Sequence, residues 1–256
     1  MIPDTTDAPH SSSVDPDEIA HFSAMAKSWW DPNGPFKPLH KLNPTRIKYA
    51  RDRLCHHFDR DPLGELPLKD LRILDIGCGG GLLSEPLTRL GASVTGADAA
   101  EKNIKTARTH AQEMELEIDY RAITAEQLAG LGETYDAILN MEVIEHVADI
   151  PSFLEACHTL LKKDGCMVMS TLNRTAKSWA MAIAGAEYIL RWLPRGTHDW
   201  HKFLKPSELS RALHQSRFDI ADMKGMVYHP LSRDWSLDEE DFSVNYLLTC
   251  YKKDHG

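Results

Sequence analysis

The octapeptide LDIGCGGG at residues 74–81 decides the fold class of this chain. It completes the apolar run LRILDI at 71–76 and precedes a segment, 82–90, with the apolar spacing of a helix. Glycines at such a junction allow a tight turn and let a ligand approach the backbone N–H groups closely. The stretch therefore predicts a strand, a loop and a helix that together hold a nucleotide-like ligand.

An acidic residue stands at a suitable distance beyond this loop. Asp98 lies 21 residues after Gly77 and ends the run SVTGAD at 93–98, where a carboxylate can accept hydrogen bonds from both hydroxyls of a ribose. A purely structural turn would not require that acid. The dinucleotide fingerprint G-x-G-x-x-G would need glycine at position 82, which is Leu82 here. The pattern thus disfavours a nicotinamide cofactor.

Outside the loop, short apolar runs alternate with longer amphipathic segments, which is typical of a parallel sheet covered by helices. The predicted fold is α/β and Rossmann-like, with a mixed sheet of seven strands. The strands are predicted at 71–76, 93–98, 118–123, 135–141, 165–172, 218–228 and 244–252. Helices are predicted near 82–90, 101–114, 125–130 and 151–162, and from Pro206 onward.

The chain of 256 residues is long enough for one large domain with additions. We expect a disordered tail over 1–15, which contains several Asp, Pro and Ser residues. Residues 16–60 have the spacing of helices, interrupted by the Pro/Gly stretch DPNGPFKP at 31–38, and predict an N-terminal helical cap. A single domain is expected over 16–256, with an insert at 174–205 after the fifth strand.

Composition and charge exclude several classes of protein. The formal net charge of -9, without a long Lys/Arg run, disfavours nucleic acid as a partner. The five cysteines are dispersed and form no CxxC pair, as expected of reduced residues in the cytoplasm. The N-terminus lacks the features of a signal peptide, and no apolar stretch reaches about 18 residues, the length of a membrane-spanning helix. We expect a cytoplasmic globular protein.

The glycine loop resembles the D-x-G-x-G-x-G motif of class I methyltransferases. Asp75, Gly77, Gly79 and Gly81 are in register with it. The resemblance implies a class I methyltransferase fold with S-adenosylmethionine as the cofactor. It also implies that the loop lies behind the methionine part of the cofactor and that Asp98 binds the ribose.

The fourth predicted strand ends in MEVIEHV at 141–147, at the edge where open α/β sheets bind ligands. Met141 is either a wall of the cofactor pocket or an ordinary core residue. Glu142, Glu145 and His146 follow at the spacing i, i+3 and i+4, which on a helical turn places them on one face. Methylation of a phenol requires removal of its proton. The three residues predict a site for Mg²⁺ or another divalent cation, an acid/base site with His146 as the base, or simply a pocket lining.

Four further runs resemble the ubiquinone biosynthesis O-methyltransferase family over roughly residues 18–251. They are WWDP at 29–32, LH with NPTR at 39–46, STLNR at 170–174 and GTHDW at 196–200. The resemblance implies O-methylation of polyprenylated catechol intermediates and, in bacteria, of a later 3-demethylubiquinol intermediate by the same enzyme. It implies a polyprenylated catechol or quinol lipid as the partner, together with association with other enzymes of quinone biosynthesis.

The same resemblance implies roles for individual residues. In that family the arginine of the N-P-x-R segment lies in the cofactor site, and here it is Arg46, whose guanidinium suits the cofactor's carboxylate. Eukaryotic relatives are associated with a metal at the E-x-x-E-H positions, which fall on Glu142, Glu145 and His146. Two rival functions remain: a methyltransferase acting on carbon or nitrogen of another small molecule, and a module that binds S-adenosylmethionine without catalysis.

The insert contains the mostly apolar stretch SWAMAIAGAEYILRWL at 178–193. It carries aromatic residues suited to a membrane interface, and cations bracket it. These residues are Trp179, Tyr188 and Trp192, with Lys177, Arg191 and Arg195. Because a polyprenyl substrate lies in a bilayer, the segment 178–195 predicts contact with the inner face of the membrane, a lid over the core, or both.

Overall fold

The computed structural model describes residues 13, 15–180, 200–229, 231–232 and 234–253. Within these residues the fold is one mixed sheet covered by helices. Its strands are β1 (Arg72–Ile76), β2 (Ser93–Asp98), β3 (Asp119–Ala122), β4 (Tyr135–Met141), β5 (Leu161–Leu172), β6 (Phe218–His229), β7 (Asp234–Asp238) and β8 (Asn245–Lys252). They lie in the order β3-β2-β1-β4-β5-β8-β6-β7.

The helices lie where the sequence predicts them, with small shifts at their ends. They are α1 (Pro16–Met25), α2 (Lys37–His57), α3 (Ser84–Arg89), α4 (Glu101–Glu113), α5 (Ala125–Ala129), α6 (Ile150–Leu160), α7 (Ala176–Ser178) and α8 (Pro206–Gln215). Single turns of 3-10 helix occur at Ala26–Ser28, Ile144–His146 and Trp200–Lys202. The class I α/β architecture is therefore confirmed.

The strand order places the candidate site. β1, β2, β3, β4 and β5 pair in parallel, whereas β8 pairs antiparallel with both β5 and β6. β1 lies between β2 and β4, so the strand order reverses there and leaves a crevice at the carboxyl ends of β1 and β4. The glycine loop follows β1 and Met141 ends β4, so both lie at that crevice.

Alternating side chains of the central strands fill two separate parts of the core. On β4, Ile138 belongs to one hydrophobic cluster, and Ala137 and Leu139 belong to the other. Successive residues of a strand point to opposite faces of a sheet, so each central strand contributes to both clusters. Both faces are buried, and this explains the nearly continuous apolar runs that predicted these strands.

The prediction of seven strands is wrong by one. The additional strand, β7, pairs antiparallel with β6 at the edge of the sheet, with Trp235 opposite Tyr228 and Asp234 opposite His229. Its sequence, DWSLD, is short, begins and ends with a charge, and is only partly buried. An edge strand of this kind lacks the apolar run by which the other strands were recognised.

The N-terminal cap packs over the glycine loop. Its predicted break at 31–38 is a turn between α1 and α2, where Trp29 stacks on Phe36 with 3.7 Å between ring centroids. Both rings pack with Leu82, which follows the glycine loop. Two residues of the predicted disordered tail have defined contacts: Ser13 accepts a hydrogen bond from the backbone of Ala148, and Asp15 caps α1.

Most of the predicted insert at 174–205 lies outside the described residues, which resume at Trp200 after a gap over 181–199. The rest of the predicted tail, 1–12 and 14, lies outside them as well. At the start of the insert, Lys177 pairs with Asp241 at 3.1 Å. No helix in the described part of the chain combines the length and the apolar character that crossing a membrane demands.

Candidate active site

A cavity of about 500 Å³ opens at the carboxyl ends of β1, β2 and β4. Its wall is mostly apolar and includes every residue predicted to bind the cofactor. These are Arg46, Asp75, Gly77, Gly79, Asp98 and Met141. Largely apolar pockets with a few convergent polar groups are the usual sites of small-molecule binding. The sequence motifs thus converge on one cavity.

Glycine is required in the loop by both conformation and space. Gly77 and Gly79 have φ angles of 69° and 54°, in the left-handed region that favours glycine. A Cβ atom on Gly77 would lie 2.4 Å from Val143, and one on Gly79 would lie 2.4 Å from the ring of Trp29. The loop therefore keeps its backbone open toward the cavity only with glycine at these positions.

The carboxylate of Asp98 is held by three donors. It accepts hydrogen bonds from the backbone N–H of Gly79 at 3.0 Å and of Ala100 at 2.7 Å, and from Nδ2 of Asn103 at 3.3 Å. Burial raises the pKa of this carboxyl, and the two backbone donors oppose that shift. Asn103 also accepts a hydrogen bond from Trp29, at 3.0 Å. The N-terminal cap is thereby linked to the carboxylate at the end of β2.

Asp75 and Arg46 form the polar part of the wall beside the loop. Asp75 is buried and accepts a hydrogen bond from Ser84 at 2.6 Å. Burial raises its pKa to about 6, against the opposing effects of Ser84 and Arg46. Arg46 is also buried and donates to Asn43 at 2.8 Å and to Glu142. Among the described residues its Nε has no hydrogen-bond partner, so a ligand carboxylate fits there.

Glu142 is the first residue after β4, and its carboxylate forms an ion pair with Arg46. Its φ of 52° is uncommon outside glycine, and residues held in that region cluster at functional sites. Its backbone N–H donates to the carbonyl of Ser170 at 3.0 Å, and its carboxylate accepts from the hydroxyl of Ser170 at 2.6 Å. Both carboxylate oxygens of Glu142 therefore already have protein partners.

Glu145 and His146 occupy different surroundings although they are adjacent in sequence. Glu145 is buried behind the cavity wall, where it accepts a hydrogen bond from Thr171 at 2.8 Å, and burial raises its pKa. His146 lines the cavity, with its Nδ1 3.1 Å from Oε2 of Glu18. Burial opposes protonation of His146, but the neighbouring carboxylates of Glu18 and Glu145 together outweigh it and raise the pKa of the imidazole.

The three residues predicted as metal ligands, Glu142, Glu145 and His146, lie against separate protein partners in the structure. The three side chains contact Ser170, Thr171 and Glu18 respectively. No group of three potential ligands anywhere in the described residues could hold a metal ion. The prediction assumed that a helix follows β4. Instead, Glu142 has a positive φ and precedes a single 3-10 turn, so its side chain does not share a helical face with Glu145 and His146.

Several wall residues were not among the predicted site residues. Glu18, Phe22 and Trp29 come from the N-terminal cap, and Tyr228 and Trp235 come from β6 and β7. Only Trp29 had drawn notice, as part of the Trp-Trp run. The others carry no local signal, because the fold brings them to the cavity from distant parts of the chain.

Comparison with known proteins finds similar methyltransferases. A family model described as a methyltransferase domain matches residues 46–222. The ubiquinone biosynthesis O-methyltransferase of Cereibacter sphaeroides is 57% identical over 242 residues, which cover 94% of this chain and 98% of that protein. The enzyme of the same name from Ruegeria pomeroyi is 58% identical over 243 residues, covering 95% of this chain and 98% of that protein.

Solved structures resemble the fold at low sequence identity. Magnesium protoporphyrin IX methyltransferase from Synechocystis, with bound SAH, has a TM-score of 0.57 at 21% identity, covering 81% of this chain and 82% of that one. A plantazolicin methyltransferase in complex with a substrate analog and SAH has a TM-score of 0.62 at 17% identity, covering 93% and 97%. With relatives well above half identical over nearly its whole length, the chain belongs to the ubiquinone biosynthesis O-methyltransferase family of S-adenosylmethionine-dependent enzymes.

Proposed function

We propose that the protein transfers a methyl group from S-adenosylmethionine to a phenolic hydroxyl of polyprenylated catechol intermediates of ubiquinone biosynthesis, including the late 3-demethylubiquinol step. The observation that carries the proposal is the single cavity that joins the six predicted cofactor residues to His146. The names of the relatives support the substrate class. O-methylation of a phenol requires a cofactor and a proton acceptor in one pocket.

The cofactor end of the cavity has groups that suit each part of the ligand. Bound S-adenosylmethionine supplies an electrophilic methyl group on its sulfur. Asp98, oriented by its three donors, accepts hydrogen bonds from the ribose hydroxyls. Arg46 binds the carboxylate of the methionine part, and Asp75 pairs with its ammonium group. Glu142 holds Arg46 in the orientation that this requires.

His146 accepts the phenolic proton. Its Nδ1 lies against Glu18, so the proton is taken at Nε2. The raised pKa of His146 brings the imidazole closer to the pKa of a phenol and makes it a better proton acceptor. In this scheme His146 takes the proton without a metal ion, since both carboxylate oxygens of Glu142 and one of Glu145 already have protein donors.

The proton-accepting end of the cavity also suits an apolar aromatic substrate. Its wall includes Leu39, Leu42, Val244, Tyr228 and Trp235. The rings of Tyr228 and Trp235 lie 5.3 Å apart and form an aromatic wall, which can stack on a catechol ring or contact a prenyl chain.

The protein is proposed to be cytoplasmic and to contact the membrane through 178–195, where Trp179 is 49% exposed. Association with other enzymes of quinone biosynthesis rests on the family resemblance alone.

The test is the formation of S-adenosylhomocysteine by purified protein with a short-chain prenylated catechol. Turnover with an O-methylated product, identified by mass spectrometry and NMR, is expected. A product methylated on carbon or nitrogen would move the proposal to the rival enzyme class. Bound cofactor without any S-adenosylhomocysteine would favour the binding module.

A chelation arm tests the metal question separately. Because the three side chains are engaged with protein partners, dialysis against EDTA is expected to leave turnover unchanged. Loss of turnover that added Mg²⁺ restores would mean that Glu142 and Glu145 leave Arg46 and Thr171 to bind an ion with substrate present.

A further inference from the structure

The N-terminal helix α1 brings a carboxylate to the proton-accepting end of the cavity. We propose that Glu18 is a positioning residue for methyl transfer, and that it holds the imidazole of His146 in the orientation needed to accept the substrate's proton. The inference rests on the proposed function, because it assigns Glu18 a role in that reaction. It is carried by three observations about α1.

First, each oxygen of the Glu18 carboxylate has its own partner. Oε2 lies 3.1 Å from Nδ1 of His146, and Oε1 accepts a hydrogen bond from Nζ of Lys202 at 3.0 Å. The side chains of Glu18 and His146 are 19% and 16% exposed. An ion pair as shielded as this one keeps its geometry better than a pair on the open surface, which typically contributes little. Glu18 also lines the cavity itself.

Second, the start of α1 is tied to the loop that carries His146. The backbone N–H of Ala148 donates to the carbonyl of Ser13 at 2.7 Å. Lys202 contacts Asp15 at 3.1 Å as well as Glu18, so it joins two positions of the first turn of α1. These contacts hold the start of α1 before and at Glu18, and the position of its carboxylate is therefore defined by the fold.

Third, α1 contacts the imidazole a second time, from another direction. Phe22 lies one helical turn after Glu18, so both side chains share a face of α1. The ring of Phe22 meets that of His146 edge to face, with 5.2 Å between centroids and an angle of 88°. The Glu18 carboxylate lies at ion-pair distance from one ring nitrogen, and the Phe22 ring packs edge to face against the imidazole. Together they select one rotamer of His146 from those the backbone allows.

This arrangement has the form of a base oriented by a carboxylate, a recurring device in proton-transfer sites. Glu18 does not touch the reacting atoms; it acts through His146. Losing it should therefore reduce turnover without changing cofactor binding, because Arg46 and Asp98 at the other end of the cavity are unaffected.

The experiment compares Glu18→Gln with Asp17→Asn, a matched control on the same turn whose side chain is exposed. Steady-state assays with a short-chain prenylated catechol give kcat and KM, and calorimetry gives the affinity for S-adenosylmethionine. For Glu18→Gln we expect kcat to fall on the order of tenfold, with cofactor affinity and melting temperature unchanged. Glu18→Asp should recover part of the loss. A kcat within about twofold of the unmodified enzyme for Glu18→Gln overturns the proposal.

A double-variant cycle separates positioning from a general structural role. In the background His146→Ala, Glu18→Gln should cause no further loss, because there is no imidazole left to orient. An undiminished additional loss in that background means that Glu18 stabilises the protein in some other way, and overturns the assignment.

An NMR measurement gives a readout that does not depend on turnover. The ring signals of ¹⁵N-labelled histidine, assigned to His146 by comparison with His146→Ala, should change in Glu18→Gln and not in Asp17→Asn. If the unmodified enzyme methylates no prenylated catechol, the proposed function fails, and these spectra still decide whether Glu18 holds the ring. Unchanged spectra overturn the proposal.

Discussion

The two ends of the cavity are built in different ways. The cofactor end is largely local, since most of its polar groups lie between residues 75 and 98, on two adjacent strands and the loop that follows the first. The proton-accepting end combines Glu18, His146 and Trp235, which come from three elements spread over more than 200 residues. A local motif fixes backbone geometry, whereas a distant set of side chains is assembled only by the complete fold.

This contrast predicts that variants at the two ends fail in separable ways. Changes at the cofactor end should weaken binding of S-adenosylmethionine. Changes at the proton-accepting end should leave that binding intact and reduce turnover. A variant that failed in both ways at once would mean that the two ends are not independent.

The largest effect is expected at the proton-accepting end. His146→Ala removes the proposed base, and general base catalysis typically contributes about 10²- to 10⁴-fold, so kcat should fall by that factor. Affinity for S-adenosylmethionine, measured by calorimetry, should stay within about threefold, since Asp98 and Arg46 are unchanged. His214→Ala, an exposed histidine on α8, is the control. An equal loss of cofactor binding would remove His146 from the role of base.

At the cofactor end, Gly79→Ala should reduce affinity for S-adenosylmethionine by about a hundredfold or more, because a Cβ would lie 2.4 Å from the ring of Trp29. Trp29 is held by Phe36 and Asn103 and cannot move without disturbing the support of Asp98. Gly132→Ala is a matched control, with a similar φ of 73° but nothing within 4 Å of its Cβ. It should cost about 1–2 kcal/mol of stability and no cofactor affinity.

The ionisation of Asp75 predicts that the affinity for S-adenosylmethionine depends on pH. Burial raises the pKa of Asp75 from 3.8 to about 6. The contribution of Asp75 to the stability of the cofactor-free protein is therefore fully present below pH 3.8 and is lost as the pH rises through about 6. Pairing with the cofactor's ammonium requires the ionised form. Cofactor affinity should therefore fall below about pH 6, by at most about tenfold per pH unit. Calorimetry across pH 5–8 tests this, and Asp75→Asn should flatten the profile.

The fold was predictable because the central strands are buried on both faces and therefore appear in the sequence as apolar runs. β7 escaped because an edge strand needs no such run, and DWSLD has none. The convergence of the six residues predicted to bind the cofactor on one cavity has a related reason. The glycines and Asp98 serve a backbone geometry that recurs wherever a strand, a loop and a helix hold a nucleoside.

The rest of the site could not be predicted, because it depends on where the chain turns. Glu142, Glu145 and His146 were expected to share the face of a helix, but the positive φ of Glu142 and the 3-10 turn after it send the three side chains to different partners. Nothing near Glu18 in sequence indicates that α1 lies against His146. A single sequence contains the spacing of residues along an element but not the docking of one element on another.

The smallest effect is expected at the aromatic wall of the proton-accepting end, where the substrate is proposed to bind. Trp235→Ala should raise KM for a prenylated catechol by about two- to tenfold, as expected from losing an aromatic contact of about 0.5–1.5 kcal/mol. Affinity for S-adenosylmethionine should not change, because Trp235 lies on the edge strand β7, whereas the glycine loop follows β1 and Asp98 ends β2. Leu231→Ala, fully exposed in the same hairpin, is the control. If Trp235→Ala instead weakened cofactor binding, the cavity would not divide into two independent ends. Binding of the cofactor by the glycine loop would then depend on a residue far away in the sequence.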